Sequence, residues 1–320
     1  MSRTSFISSV MILLVSGGIA RAETTKFDSK FLTVKPWVAI ASYGYGLKND
    51  AGAELKWNPN SRAGTGLDFY LHGYFGFGIG GLTELKSEDR ILKGDTNYSD
   101  YRFSWAFKSF QVVANYQEFR GFYLENTSYI DPSWTSGAPY HQQPDMYASN
   151  KHVSFTWIMD PGKYSLEAAS DQSVRQSSSG GSWLVGGSAA QARFSNTSPL
   201  VPTAVAGQYG VDASVTSADF TNLSARGGYG HTFCFGTNWF ATTQGILGLG
   251  QQFAHFSDAT GTRQDTRLVP KFDLLLSTGY NGDQWLSGLI VDADAASYRT
   301  ASMEFSVALA TLKLYFGTRF

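Results

Sequence analysis

The sequence predicts an all-β fold: a transmembrane antiparallel β-barrel of about 12–14 strands, with short turns at one end and long loops at the other. Three observations carry that expectation. First, 34 of the 320 residues are glycine and 15% are aromatic, whereas only 16% are charged, against roughly 25% in an ordinary soluble domain. Second, mean hydropathy is nonetheless slightly negative, so polar residues have replaced the missing charge. That excludes a bundle of apolar helices, which would need several runs of about 20 apolar residues. Third, apolar residues recur at every second position over stretches of about ten residues, the pattern of a two-faced strand.

The first element in order is a leader. Arg3 supplies a positive start, Ser8 to Ala20 holds the apolar core, and Ala20-Arg21-Ala22 offers small residues before a cut, the pattern of a secretory signal peptide over 1–22. The run is too short to span a bilayer. The expected barrel occupies 23–320, and the expected address is the outer membrane. Only Cys234 remains as cysteine, so no internal disulfide can form, and an exported chain of this size must rely on packing and backbone hydrogen bonds. A net charge of −1 leaves no basic patch for nucleic acid.

Strand periodicity follows along the chain. Leu67, Phe69 and Leu71 alternate with Asp68 and Tyr70, and Tyr101, Phe103, Trp105 and Phe107 with Arg102, Ser104 and Ala106. The same holds for Val153, Phe155 and Trp157 against Ser154 and Thr156, and for Phe272, Leu274 and Leu276 against Lys271 and Asp273. Short turns are read at His72-Gly73, Lys108-Ser109, Asp160-Pro161-Gly162, Gly236-Thr237 and Asn281-Gly282, all with turn chemistry. Long connections are read at 86–97, 124–149, 174–182 and 253–265. Residues 195–222 form either an extra strand or a long connection. The last strand alternates Leu312, Leu314, Phe316, Thr318 and Phe320 with Lys313, Tyr315, Gly317 and Arg319. Its terminal Phe320 resembles the signal read by the outer-membrane barrel-insertion machinery, an expected partner beside outer-membrane lipid and lipopolysaccharide.

Candidate functional residues come from the two faces. Trp37, Trp105, Trp157, Trp239 and Trp285 stand near expected strand ends, where an amphipathic ring suits the headgroup level. Asp68, Arg102, Glu167, Lys271 and Asp273 are expected to face a lumen, since so many charges would be costly in a sandwich core. A narrow pore or a barrel that binds a small polar solute is the first functional expectation. A second is lipid hydrolysis: His152 and Ser154 lie two apart on one strand face, a base and a nucleophile within reach. Their apolar neighbours put this pair toward the lumen, and no orienting acid can be assigned. A third is adhesion through loop 124–149, whose Tyr129, Trp134, Tyr140, His141 and Tyr147 would stack on a sugar or pack in the barrel mouth. The histidines show no ligand spacing, so no metal site and no cofactor are expected. Gly76-Phe77-Gly78-Ile79-Gly80 lacks the Lys-Ser/Thr of a phosphate cradle and reads as strand glycine that relieves crowding.

Several motifs resemble one family of Gram-negative envelope proteins known as domain of unknown function 4421. They are Leu55-Lys56-Trp57-Asn58-Pro59-Asn60 with Gly64-Thr65-Gly66-Leu67; Tyr116-Gln117-Glu118-Phe119-Arg120-Gly121-Phe122-Tyr123 with Pro144-Asp145-Met146; and Gln172, Arg175 and Gln176 leading to Gly181-Ser182-Trp183-Leu184-Val185-Gly186-Gly187 and Leu200-Val201-Pro202. The resemblance spans about 35–320. It implies an outer-membrane barrel and brings no activity with it.

Overall fold

The computed structural model describes residues 24–25, 30–60, 63–71, 74–83, 87–299 and 302–320. The leader and the His72-Gly73 turn lie outside them.

Period-two alternation gives long strands, and twelve of them close into one antiparallel barrel. In chain order they are β1 (Leu32–Asn49), β2 (two segments, Glu54–Asn58 and Gly64–Leu71), β3 (Phe75–Leu82), β4 (Asn97–Phe107), β5 (Phe110–Leu124) and β6 (Gln142–Ile158). Then come β7 (Gly180–Ser195), β8 (Ser217–Phe235), β9 (Trp239–Asp258), β10 (Gly261–Asn281), β11 (Trp285–Arg299) and β12 (Met303–Arg319). Neighbours in sequence are neighbours in the wall, and β12 pairs with β1 to close it. At that seam Phe320 exchanges backbone hydrogen bonds with Phe31 and Leu32.

One side chain row faces lipid and the other faces in. On β9 the outward row runs Trp239, Leu247, Leu249. Ten residues at about 3.3 Å each, tilted about 40°, span about 25 Å, the height of a membrane-facing apolar band. Trp105, Trp157, Trp239 and Trp285 are all exposed on this outer surface at the end where residues 108–109, 236–238 and 282–284 connect strands. Trp37 is the exception and corrects the expected belt. It is 6% exposed and faces the lumen, because β1 carries its inward row on odd numbers (Thr33, Lys35, Trp37, Ala39). The glycines of β3 make room for that row and for β2. A Cβ at Gly80 would meet the Trp37 ring at 2.5 Å, and one at Gly78 would meet Asp68 Oδ1 at 2.5 Å.

The connections correct two expectations and decide between the alternatives of a third. Residues 253–265 are no loop: β9 and β10 run through them and turn over 259–260. The stretch 195–222 is a long connection over 196–216 with 3₁₀ turns at Thr203–Gln208 and Gly210–Asp212. Finally, Asp160-Pro161-Gly162 and 174–179 belong to one segment, 159–179, on the same end as the short turns, and 180–182 already form the start of β7. It folds into the barrel as a plug, with one π turn at Glu167–Asp171 and Tyr164, Leu166, Ala169 and Val174 buried. An apolar segment that can bury its side chains inside the mouth has no reason to remain a hairpin turn.

The opposite end closes differently. The upper segment of β2 pairs directly with β5, Trp57 opposite Leu124, so the β3–β4 hairpin stops short and the wall is two strands narrower there. Tyr45, Trp57, Phe122, Phe194, Phe220 and Phe305 fill this narrow end, with Leu200, Val201, Val205, Tyr209 and Val215 of the 196–216 connection packed into the same cluster. The short helix α1 (Ser87–Lys93) lies beside it, tied down through Asn60, whose amide donates to the Asp89 carbonyl at 3.0 Å.

A charged chamber between two closures

Between plug and apolar cap lies a cavity of about 220 Å³. Inward residues of nearly every strand line it, and three charge clusters organise it. In the first, Asp68 on β2 accepts the Trp37 indole N–H at 3.0 Å on Oδ1, while Lys313 on β12 stands 3.4 Å from Oδ2. Both charged side chains are nearly inaccessible, and the Lys313 ammonium sits 4.3 Å from the Trp37 ring centre.

On the facing wall, Arg226 on β8 donates to Asp273 at 3.2 Å and to Thr156 Oγ1 at 2.8 Å. Lys271 lies 3.3 Å from Asp294, 3.9 Å from Asp273 and 3.3 Å from His152 Nε2. The third cluster joins wall to plug. Lys35 donates at 3.0 Å to both the Asp171 carbonyl and Gln172 Oε1, Gln111 donates to Asp171 Oδ2 at 3.1 Å, and Ser277 to the Ala169 carbonyl at 2.7 Å. Burial is the main effect on the Asp171 carboxyl, whose pKa it pushes up to about 6.

Among the described residues, a few buried polar atoms are left without a hydrogen bond. Arg102 Nε is 3.6 Å from Asp100, too far for a hydrogen bond, and Arg102 Nε, Asp100 Oδ1 and Asn115 Oδ1 are buried without one. Asp292 on β11 is open to the chamber despite its depth in the barrel. Groups of this kind require water or a polar ligand.

Of the residues the sequence singled out, Asp68, Arg102, Lys271 and Asp273 all point inward on strands. Glu167 is also buried, but on the plug's π turn and not on a strand. His152 and Ser154 line the chamber side by side, yet the imidazole meets Lys271, and among the described residues no hydrogen bond joins it to Ser154. Tyr129 packs against the apolar cap, Trp134 and Tyr140 against each other at 4.9 Å, and His141 against Trp57 at 5.8 Å. No group of His, Cys, Asp or Glu among the described residues could hold a metal ion.

Sequence reasoning missed Lys35, Arg226, Asp292 and Asp294. The signal was there in Ile290, Asp292 and Asp294, alternating with Val291 and Ala293 on one strand. Arg226 stands among small residues that hide the alternation.

Fold and lumen together define a class: a closed twelve-strand β-barrel with an apolar outer wall around a charged internal chamber. The family described as Domain of unknown function (DUF4421) matches residues 26–320, and the chain belongs to it. No curated protein matches its sequence. Among solved structures, the outer membrane protease OmpT of Escherichia coli is similar at 6% identity, covering 93% of this chain and 98% of that one, with a TM-score of 0.41. LpxR of Salmonella typhimurium is similar at 11% identity, covering 88% and 99%, with a TM-score of 0.36. The toluene transporter TodX of P. putida is similar at 10% identity, covering 91% and 90%, with a TM-score of 0.30.

Proposed function

We propose that this barrel, exported by its 1–22 leader to the outer membrane, binds a small zwitterionic solute in the chamber. The observation that carries the reading is the 220 Å³ space inside the barrel that Arg102 and Asp292 line. A ligand bearing one cation and one anion satisfies both at once. An open pore finds less support, because an apolar cluster fills one end and the plug the other. Access is assigned to the plug end, whose anchors to the wall are hydrogen bonds that water can replace, each contributing about 1–3 kcal/mol net. Hydrolysis at Ser154 draws no support from the geometry, since the neighbour of His152 is a cation and not an orienting acid.

The test is binding of a panel of amino acids to the refolded barrel, read by calorimetry, alongside conductance in a planar bilayer. Arg102→Gln and Asp292→Asn should each weaken binding about tenfold, the size expected for one charged hydrogen bond. A steady open conductance, or binding that ignores both substitutions, overturns the proposal.

A further inference from the structure

The outer wall carries a second pair of cavities that the chamber does not explain. A groove of about 810 Å³ opens on the lipid side of strands β3 to β8. Strand register explains its shape. Phe103, Ala114, Val153, Ala189 and Leu223 form one outward row across five strands, and Trp105, Val112, Phe155, Gly187 and Ala225 form the row beneath it. Ala114 and Ala189, on either side of Val153 in the first row, make a floor, while Phe77, Tyr101 and Phe103 make a bank. The row above is Tyr101, Tyr116, Lys151, Gln191 and Thr221. There the groove meets polar groups, and the Lys151 ammonium lies 5.9 Å from the Tyr116 ring centre.

Four residues further along β5 from Tyr116, about 13 Å at strand rise, stands Arg120. It lines a second pocket of about 410 Å³ together with Arg90, Lys93, Asn97 and Gln142. A bulge between Arg120 and Phe122, with Gly121 at φ +90°, opens the wall here. Arg90 pairs with Asp95 at 3.1 Å and Arg120 with Asp145 at 3.4 Å, all four side chains about half exposed or more. Such pairs are weak and exchange readily for a better acceptor. Lys93 lies over the rings of Tyr123 and Tyr140, 5.0 and 5.7 Å from their centres.

We propose that these two cavities together bind one anionic lipid of the outer leaflet, a phosphorylated glycolipid with an acyl chain in the groove and a phosphate in the pocket above it. The groove lies in the lipid-facing band, the pocket on the long-loop side of the same strands, and the cations where a headgroup phosphate would sit. This rests on the outer-membrane location proposed above, which fractionation tests separately.

The experiment is native mass spectrometry of the folded barrel in detergent with bisphosphorylated lipid A, the same lipid dephosphorylated, and inorganic phosphate. A one-to-one lipid A complex is expected, weakened about tenfold by Lys93→Gln with Arg120→Gln. Ala189→Leu, which fills the groove floor from outside, should weaken it comparably, and dephosphorylation should match the loss of the cations. Heat-modifiable migration must stay intact in each variant, which separates a lost site from a lost fold. Equal lipid retention in all variants identifies ordinary annular lipid and overturns the proposal. So does phosphate binding that displaces the lipid fully and ignores Ala189→Leu, which would make the pocket a free-anion site. Selective capture of a protein instead of lipid A would overturn it as well.

Discussion

The Asp68–Lys313 pair joins β2 to β12 over the intervening β1, and a double-mutant cycle tests how the barrel holds its inward charges. Their separation of 3.4 Å corresponds to a gross attraction of about 5 kcal/mol at an effective dielectric of about 20. Taking both ions from water offsets much of that, so the pair itself adds little net stability. Removing one partner is another matter. Asp68→Asn leaves the Lys313 ammonium uncompensated in a site where it is 4% exposed, which should cost about 3–5 kcal/mol. Lys313→Met should cost less, because the Trp37 indole still donates to Asp68. The double variant should recover about 2–4 kcal/mol relative to the sum of the two. Urea unfolding of the refolded barrel, followed by tryptophan fluorescence and gel mobility, gives all four corners. Costs that add to within about 0.5 kcal/mol would refute the reasoning and mean that water in the chamber screens the pair.

Further outcomes follow from the same structure. Gly80→Leu forces a side chain into the Trp37 ring and should abolish refolding, while Ile79→Leu on the outer face of the same strand should not; gel mobility distinguishes them. Trp57→Ala empties a fully buried position in the apolar cap and should cost about 3–5 kcal/mol in urea unfolding. Deleting Phe320 should impair insertion in cells far more than refolding into detergent, since its side chain is 63% exposed; equal loss in both would assign it a packing role. The Asp171 pKa of about 6 lies above the ordinary carboxylate value, so the ionised form disfavours the docked plug. Docking should therefore strengthen by about 1.3 kcal/mol as pH falls from about 7 to 5, reaching about 3 kcal/mol only below the ordinary carboxylate pKa, and Asp171→Asn should remove the dependence.

The wall was legible from the sequence because a strand between lipid and lumen has to alternate, and each face imposes its own chemistry. Asp68, Arg102, Lys271 and Asp273 could be placed inward by counting from an apolar neighbour. Counting failed for Trp37, whose aromatic ring looks like an interface residue until the parity of β1 is fixed by Lys35 on one side and by exposed Val38 and Ile40 on the other. It failed for 253–265 as well, where polar residues on both faces mark strands that extend beyond the apolar band, and polarity there imitates a loop.

The plug was hidden for a deeper reason. Residues 159–179 have no period, because they pack against a curved inner surface made by side chains from distant strands: Lys35, Gln111, Gln244, Ser277 and Arg319. No local pattern can encode a fit to partners up to 147 positions away. The same long-range logic sets the two ends apart. At the cap, the closure is apolar and its cost of opening grows with the area exposed. The plug closure also buries apolar residues, but its anchors are polar, and each hydrogen bond it gives up can be replaced by one to water. The two closures are therefore unlike in kind, and the proposed solute would enter from the plug side, where polar anchors can exchange for water, and not through the apolar cap.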